Sequence, residues 1–329
     1  MLMKDMIPHF ELFQPTSVDA ALELMGRHGE NGWVLAGGHD SLNSFKDRSE
    51  RPGVVIDLDL IDELRGIQEW EGGVQIGALT TLTEVTRHPL ITERFELLAT
   101  AAGKVASPQI RNTGTLGGNL CQDTRCWYYR GGLPCYRAGG NICYADTPVG
   151  VNREHAIFGA DRCVAVTPSD TAPALVALDA ELVIRSTSGE RVVKAEDFFM
   201  EPGIDIRRMT VLEPGDLLTT IRIPSVFAGA RFYFEKVADR KTWDFALVNV
   251  AAAFRESGGR VEDSRIVCGA VQCVPRRLRD VESAVWGQAG DEATAEAAGG
   301  VAVAGAKALN YNGFKIPLMA SLVKRAVRG

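Results

Sequence analysis

Two glycine-rich turns constrain the fold of this 329-residue chain more than any other feature of its sequence. The first, Ala36 to Asp40 (AGGHD), follows an apolar run, and the second is Gly114 to Asn119 (GTLGGN). Glycine leaves backbone N–H groups unhindered, so such turns can hold an anion. Either turn alone could be only a tight turn, but two together suit a long cofactor with a diphosphate. Neither matches GxGxxG or GxxxxGK followed by Ser or Thr, so a Rossmann or P-loop site is not indicated.

The second unusual feature is a cluster of cysteines, because five of the seven fall within 43 residues, from Cys121 to Cys163. A chain of this length buries enough apolar surface to fold without disulfides. In a reducing compartment, clustered cysteines favour metal ligation or redox chemistry. The sequence therefore indicates a metal or redox group in this region.

The spacing of four of these cysteines, Cys126, Cys135, Cys143 and Cys163, bears on which group they bind. They are separated by 8, 7 and 19 residues, so no two form the C-x-x-C knuckle typical of structural zinc. A [4Fe–4S] cluster needs four thiolates and tolerates wide spacing, and nearby cations offset its negative charge. The arginines available for this are Arg125, Arg130, Arg137 and Arg162. Zinc remains the alternative, and we interpret Cys268 and Cys273 as buried thiols of a strand.

Composition excludes some classes of function. With 36 Lys and Arg against 42 Asp and Glu, the net charge of -6 argues against nucleic-acid binding. No run of eighteen apolar residues occurs, and the first residues show no secretion signal, so we expect neither a membrane span nor export on a signal of its own.

The pattern of apolar residues predicts two domains, with a boundary near residue 225. Before it, short strands and helices alternate, and Thr16 and Asp19 suggest a capping box at the first helix. The stretch from Thr83 to Val105 is predicted to be largely helical. After the boundary come longer strands, an alanine-rich helix near 291–308 and a final helix beginning near Lys315.

Five segments resemble, in order, the markers of a known family. They are LAGGHDSL, IGALTTLTEV, RNTGTLGGNL, TPSDTAPALVALDA and DLLTTIRIP, and KTWDFALVNVAAAF adds a match nearer the C-terminus. They resemble the FAD-binding middle subunit of the molybdenum hydroxylases, which include xanthine dehydrogenases, aldehyde oxidoreductases and carbon monoxide dehydrogenases. The resemblance covers nearly the whole chain.

The resemblance implies an α+β fold. Residues 1–225 would form a two-lobed FAD-binding domain of the vanillyl-alcohol oxidase (PCMH) type, and residues 226–329 a smaller α+β domain like the C-terminal domain of the carbon monoxide dehydrogenase flavoprotein. Carried over position by position, it also implies the residues that hold FAD: Ala36, Gly37, Gly38, His39, Asp40, Ser41, Gly114, Thr115, Gly117, Gly118, Asn119, Asp170, Leu218 and Lys236. His39 replaces the more usual Thr.

An insertion at about 120–167 carries the cysteines, and it resembles a subset of the family. That subset has an extra [4Fe–4S] cluster and comprises aldehyde oxidoreductase-like and 4-hydroxybenzoyl-CoA reductase-like flavin subunits; the sequence looks more like the first group. We expect Cys126, Cys135, Cys143 and Cys163 to be the ligands, with Cys121 in place of Cys135 as the alternative.

By resemblance, the chain is an electron-transfer subunit with no catalytic acid, base or nucleophile of its own. It would pass electrons from [2Fe–2S] clusters of a small subunit to an external acceptor such as ferredoxin. A large subunit would carry molybdopterin, completing a heterotrimer or its dimer. Aldehyde oxidation is the expected activity. Alternatives are a 4-hydroxybenzoyl-CoA reductase-type or xanthine dehydrogenase-type subunit, a free-standing flavin oxidase, or a zinc-bearing scaffold. We expect a cytoplasmic location, or a periplasmic one if a partner carries the signal.

Overall fold

Three β-sheets organise the part of the chain that the computed structural model describes, residues 6–329. One sheet is parallel and two are antiparallel, and helices pack on and between them. Separate sheets with segregated helices are characteristic of the α+β class. The predicted fold class is therefore confirmed.

The first sheet is parallel and lies nearest the N-terminus. Its strands are β1 (Glu11–Phe13), β2 (Gly32–Leu35) and β3 (Val54–Asp57), in the order β1-β3-β2. Helices α1 (Val18–His28) and α2 (Ser41–Asp47) follow β1 and β2. Because β3 is central, its first three residues are all buried, and the apolar face of α1 packs against two of them, Val54 and Ile56.

Helix α1 begins differently from the prediction. Its N-cap is Ser17, whose side chain accepts a hydrogen bond from the backbone N–H of Ala20. Ser17 has φ of -144° and ψ of 156°, the extended conformation that an N-cap residue adopts. The predicted capping box of Thr16 and Asp19 was therefore wrong: the helix is capped one residue later, by Ser17.

The second sheet is antiparallel and five-stranded, in the order β4-β5-β8-β6-β7. Its strands are β4 (Ile67–Trp70), β5 (Gly73–Gly77), β6 (Glu181–Ser186), β7 (Gly189–Lys194) and β8 (Leu217–Ile223). The chain between β5 and β6 contains α3 (Leu82–Arg87), α4 (Pro89–Arg94), α5 (Glu96–Gly103), α6 (Pro108–Arg111), α7 (Leu116–Leu120), α8 (Trp127–Arg130) and α9 (Thr171–Ala177). The predicted helical stretch from Thr83 to Val105 thus consists of α3, α4 and α5.

The third sheet is antiparallel, with the order β12-β11-β10-β9. Its strands are β9 (Arg231–Val237), β10 (Val248–Ser257), β11 (Arg260–Gly269) and β12 (Arg276–Arg277). It is followed by α10 (Arg279–Val285), α11 (Glu292–Ala302) and α12 (Lys315–Arg328). The final helix begins at the predicted residue.

Strand β10 shows how the third sheet is held between two layers. Val250 and Phe254 point into a core shared with α11 and α12, whereas Ala251 and Ala253 point into the core that contains α5 and α9. Successive side chains of a strand face opposite sides, so a strand covered on both faces is apolar at every position. The sheet therefore joins the last three helices to the rest of the molecule.

Candidate functional site

The first glycine turn joins β2 to α2 and lies against the second turn. A Cβ atom at Gly37 would be 2.3 Å from the carbonyl oxygen of Thr113, so only glycine fits there. Gly38 has φ of +78°, in the left-handed region that favours glycine. His39 Nε2 is 2.6 Å from Thr113 Oγ1, and burial lowers the pKa of His39. The His39 side chain therefore links the two turns.

The second glycine turn leads into α7. Thr115 is the N-cap of this helix, and its hydroxyl oxygen accepts a hydrogen bond of 3.1 Å from the N–H of Gly118. A Cβ atom at Gly117 would be 2.8 Å from the Cβ of Ala78, which follows β5. The turn is thus packed tightly against the second sheet.

The two turns enclose one cavity of about 230 Å3, called the first cavity below. Apolar side chains of the first and second sheets and of α3 cover its other walls. Twelve of the fourteen predicted cofactor residues line it: Ala36, Gly37, Gly38, His39, Asp40, Ser41, Gly114, Thr115, Gly117, Gly118, Asn119 and Leu218. Residues from distant segments thus converge on one space, although the N–H groups of Gly117, Gly118 and Asn119 in the second turn are already bonded within the protein.

Asp40 has a further role that its position in the turn did not indicate. Its Oδ1 is 2.5 Å from an Arg125 nitrogen and 2.7 Å from an Arg130 nitrogen, and its Oδ2 accepts the N–H of Asp123 at 3.1 Å. All three partners belong to the insertion. Asp40 therefore fastens the insertion to the first turn.

Asp170 and Lys236, the remaining two predicted residues, lie outside the first cavity. Lys236 Nζ is 2.5 Å from Asp170 Oδ2 and 3.0 Å from the carbonyl oxygen of Lys104. Asn249 Nδ2 donates to Asp170 Oδ1 at 2.9 Å. This buried ion pair connects the start of α9 to the third sheet.

Asp170 lines a second cavity of about 480 Å3, between the insertion and the loop that joins β9 to β10. Three aromatic side chains on its wall are largely exposed: Trp127 is 69%, Trp243 59% and Phe245 42% accessible. Ser169 also lines this cavity and donates to Asn119 Oδ1, on the wall of the first, at 2.7 Å. The two cavities are therefore neighbours.

The cysteines of the insertion divide into two groups. Cys126, Cys135, Cys143 and Cys163 line one small cavity, called the cysteine cavity below. Cys121 instead lines the first cavity. Cys268 and Cys273 are buried as predicted, but only Cys268 lies in a strand, β11; Cys273 lies in the turn between β11 and β12, so its prediction as a strand residue was wrong.

The cysteines of the cysteine cavity are partly to fully buried: Cys135 is buried, and the other three are partly exposed. Burial raises the pKa of Cys126, partly opposed by the backbone N–H groups of Tyr129 and Tyr128, and it raises the pKa of Cys163 to about 11. Such thiols remain protonated at neutral pH unless a bound metal removes the proton. Over residues 6–329, no three His, Cys, Asp or Glu side chains are grouped to hold a single metal ion.

Only part of the predicted cationic surrounding is present. Arg137 and Arg162 line the cysteine cavity, and Arg137 also pairs with Asp123 at 2.6 Å. Arg125 and Arg130 turn toward Asp40 instead. The expectation that all four arginines surround the thiols was therefore wrong, because Asp40 competes for two of them.

Sequence reasoning missed His155, which lines both the second cavity and the cysteine cavity. Its Nε2 is 3.2 Å from Cys126 Sγ, and burial lowers the pKa of His155 to about 4. A lone histidine in a loop carries little signal. Its only sequence clue is its place inside the cysteine-rich insertion.

Comparisons with known proteins identify two matching families. Residues 8–226 match the FAD binding domain in molybdopterin dehydrogenase, and residues 233–328 match the CO dehydrogenase flavoprotein C-terminal domain.

Across the described residues, no helix is both long and apolar enough to cross a membrane.

Individual relatives agree with these matches. The carbon monoxide dehydrogenase medium chain of Hydrogenophaga pseudoflava is 31% identical over 97% of this chain and 96% of its own length. The aldehyde oxidoreductase FAD-binding subunit PaoB of Escherichia coli (strain K12) is 33% identical over 82% of this chain and 83% of its own length.

Solved structures show the same similarity. A carbon monoxide dehydrogenase structure from Hydrogenophaga pseudoflava superposes with a TM-score of 0.77 and 30% identity, covering 98% of this chain and 97% of that one. Both halves of the sequence, the fold and the converging glycine turns agree. The chain belongs to the family of FAD-binding medium subunits of the molybdenum hydroxylases.

Proposed function

We propose that this chain carries FAD and a [4Fe–4S] cluster and transfers electrons within a molybdenum hydroxylase complex. One observation carries the proposal beyond the family: four cysteines of the insertion line a single cavity, and that cavity shares walls with the second cavity. The shared residues include Cys126, His155 and Thr124. A redox group held there would lie beside the flavin-binding region.

The proposed ligands are Cys126, Cys135, Cys143 and Cys163. In a [4Fe–4S] cluster each thiolate binds a different iron, so the four sulfurs need not meet at one point as the ligands of a single ion must. Arg137, at the wall of the cavity, supplies a positive charge. Cys121 lines the first cavity, which supports Cys135 over Cys121 as the fourth ligand.

The proposed FAD site uses the two glycine turns for the diphosphate and the ribityl chain. The N–H groups of the first turn would meet the anion. In the second turn the N–H of Gly117 bonds to the carbonyl oxygen of Ala78, so that turn would contribute its close-packed surface. The adjoining second cavity gives the rest of the cofactor room to extend; Asp170 lines it and is paired with Lys236. When bound, FAD can take up or release electrons singly or in pairs, which suits a link between one-electron clusters and a two-electron reaction.

We propose a domain division at residue 225, which puts the insertion and both turns in residues 1–225 and the third sheet in residues 226–329. Partners would be a small subunit with [2Fe–2S] clusters and a large subunit with molybdopterin. The acceptor would be an external protein such as ferredoxin.

The proposed activity of the complex is aldehyde oxidation. Two relatives support it by name: PaoB is an aldehyde oxidoreductase subunit, and another, 29% identical, is the glyceraldehyde dehydrogenase medium chain of Sulfolobus acidocaldarius.

The free cysteines support a reducing, cytoplasmic location; export with a signal-bearing partner is the alternative.

Serine variants of the five insertion cysteines test the proposal in the complex purified without oxygen. We expect the unmodified complex to contain about four iron atoms on this subunit beyond those of the partner, as a [4Fe–4S] cluster requires. Replacing Cys126, Cys135, Cys143 or Cys163 should remove that iron, because a hydroxyl is a poor substitute for a thiolate. The FAD content should remain near that of the unmodified protein.

Cys121→Ser is the matched control, since Cys121 belongs to the same segment but faces the first cavity. Its iron and sulfide content should be unchanged. Loss of iron in Cys121→Ser with full retention in Cys135→Ser would replace Cys135 by Cys121 in the ligand set. The cluster would be refuted if the unmodified subunit contained no iron, or contained zinc instead.

A further inference from the structure

Among the four sulfurs of the cysteine cavity, that of Cys126 alone has a side-chain hydrogen-bond partner within residues 6–329. Cys126 is the N-cap residue of α8, although its sulfur makes no capping hydrogen bond. That partner is the His155 ring, with Nε2 at 3.2 Å from Sγ. In residues 6–329, no other side chain donates a hydrogen bond to any of the four sulfurs.

His155 is held firmly in this position. Its side chain is only 3% exposed, and its carbonyl oxygen accepts a hydrogen bond from Asn312 Nδ2 at 3.0 Å. Lys315, at the start of α12, donates to the neighbouring carbonyl of Glu154 at 2.8 Å. The backbone around the ring is thus fixed by the C-terminal part of the chain.

The ring has no competing polar contact. Within the described residues, Nδ1 is buried and has no hydrogen-bond partner. With Nδ1 unpartnered, the contact with Cys126 Sγ is the hydrogen bond open to this ring. A ligating thiolate has no proton and can only accept, which puts the ring proton on Nε2.

The contact lies in the wall between two cavities. His155 and Cys126 both line the second cavity as well as the cysteine cavity. Of the four proposed ligands, Cys126 is the one that the second cavity touches. A donor at this sulfur therefore acts on the side of the cluster that faces the flavin region.

We propose that His155 donates its Nε2–H to the Cys126 thiolate and thereby raises the reduction potential of the cluster. Reduction adds one electron, and hydrogen bonds to ligand sulfurs stabilise the more negative state. His155 is a positioning residue, neither an iron ligand nor a catalytic group. This inference rests on the proposed function, since it concerns a ligand of the proposed cluster.

Two substitutions in the assembled complex test the inference. His155→Leu removes the donor, whereas His155→Gln offers an amide N–H at a similar reach. We expect His155→Leu to keep its iron but to shift the cluster midpoint, measured by a redox titration followed by electron paramagnetic resonance, to a more negative potential. His155→Gln should return it most of the way. With 15N-labelled histidine, nitrogen coupling to the reduced cluster should be seen and should vanish in His155→Leu.

His88→Leu is the control, because His88 also has a buried Nδ1 without a partner but lies between α3 and α4, away from the cysteine cavity. It should leave the potential unchanged. The inference is overturned if the midpoint stays unchanged in His155→Leu, if Leu and Gln shift it equally, or if both lose the iron. A complex without the cluster signal before any substitution would instead refute the proposed function.

Discussion

At the residue scale, the two turns depend on glycines for different reasons. Gly37 and Gly117 are required by close packing against neighbouring backbone and Ala78. Gly118 has more space: the nearest atom to a Cβ there is Thr115 Oγ1, at 2.8 Å, and the next is the Cβ of Ala36 at 3.8 Å. A side chain at Gly118 would therefore extend along the wall of the first cavity, where the cofactor is proposed to bind.

Gly118→Val should reduce bound FAD about tenfold or more, which corresponds to about 1.4 kcal/mol of binding free energy. The added side chain takes space at the turn and displaces the Thr115 hydroxyl, which accepts a hydrogen bond from the N–H of residue 118. FAD released from the purified complex on denaturation gives the measurement. Gly300→Val, in α11 where nothing lies within 4 Å of a Cβ, is the matched control and should keep its FAD. Full FAD content in Gly118→Val would refute the proposed place of the second turn.

His39 illustrates how one residue can replace another in this turn. By resemblance to the family, Thr is more usual at this position. In this chain the His39 side chain is hydrogen-bonded to Thr113. The substituted side chain thus joins the two turns, and the backbone N–H groups of the turn are not involved.

At the scale of elements, the insertion has little regular structure of its own. Between α7 and α9 it contains only α8 and a 3-10 turn, Tyr136–Ala138. Ion pairs hold it instead: Arg130 is buried against Asp40 and Ser44, and Arg137 bonds to Asp123 and to the carbonyl of Ile206. Removing one partner of a buried pair leaves an uncompensated charge.

Asp40→Ala should therefore loosen the whole insertion. It leaves Arg130, which is buried, without its carboxylate, and breaking a fully buried pair costs about 3–5 kcal/mol. Arg125 is 30% exposed, so the loss of its pair with Asp40 costs less. We expect faster amide hydrogen exchange over residues 120–167, with less iron and less FAD. Asp47→Ala is the control, because Asp47 ends α2 and lines neither the first cavity nor the cysteine cavity. It should leave the exchange rate, the iron content and the FAD content unchanged. Unaltered exchange in Asp40→Ala would show that the arginines do not hold the insertion.

At the scale of the whole molecule, the third sheet and the insertion meet at the second cavity. Arg153 pairs with Asp239 through two hydrogen bonds, and Asn310 donates to the carbonyls of Thr147 and Pro148. Trp127, Trp243 and Phe245 remain exposed around the cavity. Exposed aromatic groups beside a cofactor region are typical of surfaces that bind partners.

Because of this surface, we expect the isolated chain to be less soluble than the chain in complex with its two partners. Trp243→Ser should reduce self-association of the isolated chain and weaken its assembly with the small and large subunits. Light scattering coupled to size-exclusion chromatography measures both. Trp286→Ser is the control, because Trp286 is 68% exposed but follows α10, outside the second cavity. A monodisperse isolated chain that binds neither subunit would favour a free-standing flavin oxidase.

The sequence alone determined the features that depend on neighbouring residues. The apolar pattern identified the helices from Thr83 to Val105 and the start of the last helix at Lys315. Glycine pairs identified both turns, and cysteine spacing excluded a C-x-x-C zinc knuckle. Each of these signals is local, because helix periodicity, turn chemistry and ligand spacing act over a few residues.

Only the tertiary structure decided which distant groups meet. Cys121 lies at the first cavity while four other cysteines share another, and Arg125 and Arg130 pair with Asp40 across 85 and 90 positions of sequence. His155 reaches Cys126 across 29 positions because α12 holds its backbone in place. No periodicity encodes such contacts. They arise from the packing of the insertion between the first turn and the third sheet, where buried charges and polar groups take the partners that the fold brings within reach.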